Sequence, residues 1–201
     1  MSWIKTINYE DARGTLKKLY ERVKGPNNNI DNVLMIHSLR PHTLKGHMVL
    51  YKNVLHNANN QLPKWYLEAL GVYTSQLNKC DYCVTHHKEG LKKLIDSNLP
   101  FPPLEKALLT DQPATYFEGK WLQGMHYAKR LTQDHASLQE SDIEKLRKSG
   151  FTDGEILEVN QVVSYFNYVN RMVVGLGVNT RGDILGLSPG DNDDPDNWSH
   201  K

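Results

Sequence analysis

The chain has 201 residues, 39% of them hydrophobic and 23% charged, which fits one large domain or two small ones with a buried core. Its 24 basic and 23 acidic residues leave a formal charge of +1, so whole-chain electrostatics give no reason to expect nucleic acid or an anionic membrane as partner. No apolar run approaches the roughly 18–20 residues that cross a bilayer, and the first residues lack the apolar core of a secretory signal peptide. We therefore expect a cytoplasmic protein whose thiols are kept reduced.

Apolar residues recur at spacings of three and four through most of the first half of the chain, which predicts helices. The first predicted helix covers 9–23 and ends before Gly25. A short apolar piece follows at 33–39, and Pro41 suits the first turn of a helix that ends near residue 56. Pro63 opens the next predicted helix, which ends at Asn78.

A helix that begins near Cys80 is predicted to run to about Ser97. The following segment, 98–115, holds four of the nine prolines, so we expect it to be partly irregular. Apolar spacing then predicts a helix around 121–131. None of these segments shows the sustained alternation of a β-strand.

Two capping boxes are predicted near the end of the chain. Ser141 with Glu144 would open a short helix, and Thr152 with Glu155 a long one that ends near Leu176. The acidic, proline-broken tail 191–201 is expected to be disordered or ordered only on a neighbouring subunit. The sequence thus predicts a single all-α domain over 1–190, with a tail over 191–201.

The stretch CDYCVTHH at 80–87 holds the only two cysteines of the chain. A c-type haem tether needs a histidine directly after the second cysteine, where this chain has Val84. A structural zinc site usually needs four ligands from two separated knuckles, and only one knuckle is present. A thioredoxin-type motif needs a βαβ unit, which the pattern does not predict. These observations favour a redox couple on a helix.

Helix geometry gives this couple a base. Cys80 and Cys83 lie three residues apart on one side of a helix, and His87 lies one turn beyond Cys83. If the helix begins near Cys80, its free N–H groups and dipole lower the pKa of the thiols, which favours Cys80 as the nucleophile. His86 points about 100° away and is expected to face solvent or a subunit contact.

Glu68 lies among apolar neighbours on the preceding predicted helix. It is either a solvated helix position or a partly desolvated carboxylate packed against the cysteine helix. About ten residues, or roughly 15 Å of helix, separate Glu68 from the turn at 78–79, which makes direct contact with Cys80 unfavourable. The spacing leaves both interpretations open.

The pattern Glu68, eleven residues, Cys80-x-x-Cys83-x-x-x-His87 resembles the signature of alkylhydroperoxidase D-like (AhpD-like) proteins of the carboxymuconolactone decarboxylase superfamily. Matches at Trp3-Ile4 and along 150–156, 165–171 and 175–177 resemble the subgroup of peroxidase-related enzymes. The resemblance covers about 3–190. Well-known peroxidase members have a histidine between the cysteines, where this chain has Tyr82.

This resemblance implies an all-helical fold that assembles as trimers or hexamers, and a redox-active disulfide that reduces hydroperoxides in antioxidant defence. It implies Cys83 as the attacking thiol, Cys80 as the resolving thiol, and Glu68 and His87 as the proton relay. Tyr82 and His86 are candidate accessory residues. The electron donor would be an external dithiol, such as a reduced lipoyl group on a protein, and neither a metal nor a bound cofactor is expected.

Two other classes of function stay open on the sequence. The first is an oligomeric protein that senses redox state or binds a metal. The second is disulfide exchange on a protein partner.

Overall fold

A computed structural model describes residues 1–95, 100–189, 194 and 197–200. The described residues form nine α-helices and no β-strand, apart from an isolated antiparallel bridge between Pro189 and His200. The α-helices are α1 (Gly14–Val23), α2 (Asn32–Met35), α3 (Pro41–Leu55), α4 (Lys64–Leu77), α5 (Asp81–Leu94), α6 (Phe101–Leu109), α7 (Gly119–Gln133), α8 (Glu140–Lys148) and α9 (Asp153–Gly175). The predicted all-α fold class is confirmed.

Helix α4 lies at the centre of the molecule. Ten consecutive residues of α4, from Tyr66 to Ser75, are buried, which is typical of a helix covered on every side. It packs against α5, α9, α7 and α6. Functional side chains on α4 are therefore held away from bulk water.

The connection between α4 and α5 fixes the position of the first cysteine. Lys79 adopts a left-handed conformation with φ of 56° after Asn78, the C-cap of α4. The amide of Cys80 donates to the Ser75 carbonyl at 2.9 Å, and the amide of Lys79 donates to the Gln76 carbonyl at 3.0 Å. These two bonds form a Schellman motif. Cys80 then serves as the N-cap of α5, as the sequence predicts.

One predicted helix start was wrong for a local reason, and the segment expected to be partly irregular contains a helix. Helix α1 begins at Gly14 rather than near residue 9, because Gly14 has φ of 56° and a right-handed helix cannot continue through it. The proline-rich segment contains α6, whose prolines lie in its first turn, where their missing N–H groups cost nothing.

Of the two predicted capping boxes, one was wrong and one is confirmed. The box of α8 uses Gln139 and Asp142, so the predicted pair Ser141–Glu144 was wrong. The predicted box of Thr152 and Glu155 opens α9 and is confirmed. Helix α5 ends at Leu94, and its predicted end near Ser97 lies outside the described residues.

The C-terminal residues 197–200 are not separate from the core. Trp198 is 1% exposed, and its ring lies 3.6 Å from the Arg22 guanidinium carbon. His200 is also buried. The expectation of a tail without order on this chain was wrong for these residues, because the indole fills a site beside α1. The domain boundary at 190 stays a prediction, and the acidic run at 190–193 lies outside the described residues.

Within the described part of the chain, no helix combines the length and apolar character needed to cross a membrane.

Candidate active site

The two cysteines lie side by side at the start of α5 as free, buried thiols. Cys80 is 1% exposed and Cys83 is 3% exposed. A side-chain hydrogen bond joins them. The predicted pairing of the thiols within one helical turn is therefore present in the structure.

The two thiols differ in acidity. The hydrogen bond with the Cys83 side chain lowers the pKa of the Cys80 thiol. Burial raises the pKa of the Cys83 thiol well above its usual range, and the neighbouring Cys80 raises it further. Cys80 is thus the thiol that carries negative charge more easily, whereas Cys83 needs a base to lose its proton.

Asn170 of α9 is a site residue that the sequence analysis missed. Hydrogen bonding with its side chain contributes to the lowered pKa of the Cys80 thiol and opposes the rise in the pKa of the Cys83 thiol. Asn170 also donates to Ser75 Oγ at 3.0 Å and accepts from Asn78 Nδ2 at 3.0 Å, which fixes its orientation. The signal in the sequence was an asparagine among the apolar-spaced positions of α9. In the structure this amide is fully buried, and a buried amide requires polar partners.

Glu68 and His87 form a buried, hydrogen-bonded carboxylate–imidazole pair, which we call the Glu–His pair. Glu68 is 2% exposed, and its Oε2 lies 2.8 Å from His87 Nδ1. Burial pushes the pKa of the Glu68 carboxyl upward, but His87, His56 and Lys64 together outweigh burial, so the pKa lies below its usual value. His56 Nε2, 4.0 Å from Glu68 Oε1, adds to this effect. Glu68 is therefore a desolvated carboxylate, as the second sequence interpretation held.

The antiparallel packing of α4 against α5 explains why Glu68 meets His87 and not Cys80. Glu68 lies ten residues before the C-cap of α4, and His87 lies seven residues after the N-cap of α5. These offsets correspond to about 15 Å and about 10 Å of helix, so the two side chains reach a similar level.

Phe166 of α9 orients the imidazole of the Glu–His pair. Its ring lies edge-on to His87, with centroids 4.7 Å apart and an interplanar angle of 82°. Phe166 also lies against Gly71 of α4, where a Cβ atom would come within 2.3 Å of the phenyl ring. The absence of a side chain at Gly71 is what lets the ring lie there.

A second carboxylate–imidazole group, which we call the Asp183 cluster, lies on the neighbouring face of α5. The Tyr82 hydroxyl donates to Asp183 Oδ2 at 2.6 Å, and His86 Nε2 lies 3.1 Å from the same oxygen. The backbone amide of Asn32 also donates to Asp183, at 3.1 Å. The expectation that His86 faces solvent or a subunit was wrong, because the loop that carries Asp183 covers this face of α5.

One cavity connects the two groups. It has a volume of about 50 Å³ and is lined by residues that include Glu68, Tyr82, Cys83, His86 and His87. Cys80 does not line the cavity and lies behind Cys83. The structure thus brings five of the six predicted site residues to one space.

Asp31 is a further buried acid on the cavity wall. Its Oδ1 accepts a hydrogen bond from Asn29 Nδ2 at 3.1 Å. Burial raises the pKa of Asp31 to about 6, and the charge of His86 opposes this rise without cancelling it. Asp31 is therefore poised to change charge in the weakly acidic range.

Two histidines that the sequence analysis did not single out complete the wall. His47 and His200 line the cavity, and burial lowers their pKa values to about 3 and about 4. Both are neutral at pH 7. In the described ranges, no three histidine, cysteine, aspartate or glutamate side chains converge in a way that would hold a metal ion.

No protein-family model matches the chain, and no curated protein matches it. Solved structures do. An alkylhydroperoxidase AhpD core from Ralstonia eutropha JMP134, described as an uncharacterized peroxidase-related protein, superposes with a TM-score of 0.76 at 20% identity, over 92% of this chain and 96% of that one. An uncharacterized peroxidase-related protein from Silicibacter sp. TM1040 gives a TM-score of 0.72 at 24% identity, over 83% of this chain and 85% of that one.

The debrominase Bmp8, in complex with 2,3,4-tribromopyrrole, also matches, with a TM-score of 0.69 at 13% identity over 90% of this chain and 94% of that one. Proteins with different described activities therefore share this architecture. At these identities the likeness establishes the fold, and the predicted resemblance is confirmed at that level: the chain has the fold of the alkylhydroperoxidase AhpD-like, peroxidase-related proteins.

Proposed function

We propose that the protein is a thiol-dependent hydroperoxide reductase in which Cys83 attacks the peroxide. The observation that carries this proposal is that Cys83 and the Glu–His pair line the same small cavity. A buried thiol with a raised pKa needs a base, and the cavity supplies one.

The reaction balances without a bound cofactor. His87, supported by the Glu68 carboxylate, takes the proton of the Cys83 thiol. The thiolate attacks the terminal oxygen of the hydroperoxide, so that an S–O bond forms, the O–O bond breaks and an alkoxide leaves. Cys83 becomes a sulfenic acid, oxidised by two electrons, and the alkoxide is protonated to an alcohol.

Cys80 is suited to the second step. Its lowered pKa favours a thiolate, and the hydrogen bond places it against the Cys83 sulfur. Attack on the sulfenic acid forms the disulfide and releases water. An external dithiol, such as a reduced lipoyl group on a partner protein, then returns two electrons and two protons.

Burial of the thiols favours a small substrate. Both cysteines are nearly inaccessible, and the cavity of about 50 Å³ has room for a few water-sized molecules. The same burial disfavours exchange with a disulfide fixed in a folded protein, whereas the small dithiol of a reduced lipoyl group can approach the Cys80–Cys83 disulfide more closely. Assembly into trimers or hexamers and a cytoplasmic location belong to the proposal as well.

Cysteine variants test the proposal most directly. We expect Cys83→Ser to abolish single-turnover reduction of a small hydroperoxide, because the attacking sulfur is missing. Cys80→Ser should still consume about one equivalent of peroxide and then stop at the sulfenic acid. The measurement is quenched-flow peroxide consumption together with mass spectrometry of the sulfur. Full turnover by Cys83→Ser with a dithiol reductant would refute the assignment.

A further inference from the structure

The Asp183 cluster is built around one buried carboxylate. Besides Tyr82, His86 and the backbone of Asn32, the loop that carries Asp183 is itself fixed. The Asn32 side-chain amide donates to the carbonyl oxygens of Asn179 at 2.8 Å and Arg181 at 3.0 Å. The backbone amide of Val33 donates to the Tyr82 hydroxyl at 3.1 Å. These bonds tie both the Asp183 loop and the Tyr82 hydroxyl to α2.

This arrangement positions the His86 imidazole in the cavity. His86 lies one helical turn after Tyr82, and their rings are 4.5 Å apart. Its Nε2 is engaged by Asp183, so Nδ1 is the ring nitrogen left to exchange a proton with a molecule in the cavity. The Asp183 carboxylate lies 3.1 Å from His86 Nε2, where it would offset the charge of an imidazolium during proton transfer.

The proposed reaction requires two proton transfers at two different atoms. One removes the proton from the Cys83 sulfur, and the other gives a proton to the departing alkoxide. His87 lies four residues after Cys83 and His86 three residues after it, so both imidazoles flank the sulfur on the surface of α5. The cavity between them is where a peroxide would meet Cys83.

We infer that His86, held by Asp183, is the general acid that protonates the leaving oxygen, while the Glu–His pair serves as the base. This inference rests on the proposed peroxidase function and divides its two proton transfers between two groups. As the O–O bond breaks, the alkoxide takes the proton from His86 Nδ1. Before the next turnover the neutral His86 is reprotonated from solvent, and His87 releases to solvent the proton that it took from Cys83.

The alternative is that His86 and Tyr82 only bind the Asp183 loop to α5. A general acid and a structural clamp differ in their dependence on the leaving group. Ethyl hydroperoxide expels ethoxide, which must be protonated, whereas peracetic acid expels acetate, which is stable without a proton. The two molecules are similar in size, so packing effects act on both alike.

The experiment is single-turnover oxidation of Cys83 by each oxidant, in wild type and in His86→Gln. We expect His86→Gln to slow the reaction with ethyl hydroperoxide about 100-fold, the lower range for a general acid, and to change the reaction with peracetic acid less than about threefold. Asp183→Asn, which still accepts the hydrogen bonds of Tyr82 and Asn32, should show the same selectivity with a smaller loss. His126→Gln is the matched control, because His126 is exposed and does not line the cavity.

Equal slowing with both oxidants, or no slowing with either, would overturn the assignment of His86 while leaving the peroxidase proposal intact. Failure of the wild type to react with both oxidants would refute the peroxidase proposal and this inference together. Should His86→Gln not fold, Asp183→Asn gives the same test, and a loss restricted to ethyl hydroperoxide supports the inference.

Discussion

The Glu–His pair and the Asp183 cluster are two carboxylate–imidazole groups on adjacent faces of the same helix, and they are built differently. Glu68 and His87 lie 19 residues apart on one helical hairpin, with the helix α9 behind them. Asp183 lies 97 residues from His86 and reaches it from a loop. The first group thus depends on helix packing alone, whereas the second depends on how the C-terminal part of the chain closes over α5.

The largest effect should come from Glu68→Gln, which keeps the shape of the Glu–His pair and removes its charge. We expect peroxide turnover to fall about 100-fold or more, because His87 loses the partner that stabilises its protonated form. Steady-state turnover of ethyl hydroperoxide with a dithiol reductant measures this. Glu118→Gln, at an exposed position, is the control. A loss no larger than that of Asp183→Asn would show that the two groups do not differ in importance.

The stability of Asp31→Asn relative to wild type should depend on pH, because the Asp31 carboxyl is buried. The folded pKa of Asp31 is about 6, against 3.8 ordinarily, so its contribution to stability is fully present below about pH 4 and is lost as the pH rises through 6. The variant avoids this loss. We expect Asp31→Asn to gain up to about 3 kcal/mol relative to wild type as the pH rises from 4 to 7.5.

Urea unfolding of both proteins at these two pH values measures the gain. The contribution of Glu68 to stability depends on pH in the opposite direction. Its folded pKa lies below its ordinary value, so its contribution is present at neutral pH and is lost as acid protonates it. A gain for Asp31→Asn that did not depend on pH would contradict the raised pKa.

Gly71→Ala should disturb the Glu–His pair without touching it. The added methyl group would displace the Phe166 ring, which contacts His87, at a cost of about 1–3 kcal/mol for overpacking. Gly46→Ala is the matched control, since Gly46 also lies within a helix but has open space around its Cβ position. We expect the control to be neutral or slightly stabilising. Thermal unfolding together with the single-turnover rate of Cys83 oxidation by ethyl hydroperoxide measures both effects, and equal stability of the two variants would argue against the close contact.

The difference between the two groups also explains what the sequence could predict. Helix geometry found the two thiols and His87, because they lie within two turns of one helix. Glu68 was identified only through the resemblance to the Glu–Cys–Cys–His signature, because its spacing from the cysteines left its position open. The spacing argument disfavoured contact of Glu68 with Cys80, and in the structure Glu68 pairs with His87 instead.

Long-range contacts were beyond this reasoning. Nothing in the local pattern connects Asp183 with Tyr82 and His86, since the position of a loop depends on hydrogen bonds such as those of Asn32. The same holds for the relative acidity of the thiols. Helix geometry pointed to Cys80 as the nucleophile, but only the structure shows that Cys83 faces the cavity and that Asn170 contacts both sulfurs.

Because Trp198 is buried against α1, its fluorescence can report on the position of the C-terminal residues. Trp3 is 79% exposed, and Trp65 and Trp121 lie together beside Phe117, whereas the indole of Trp198 is covered and lies against Arg22. The fluorescence of Trp198 therefore reports a local event, and the difference spectrum between wild type and Trp198→Phe isolates it. With that signal, the residence of the C-terminal residues on the core can be followed in solution during each stage of thiol oxidation, without any attached dye.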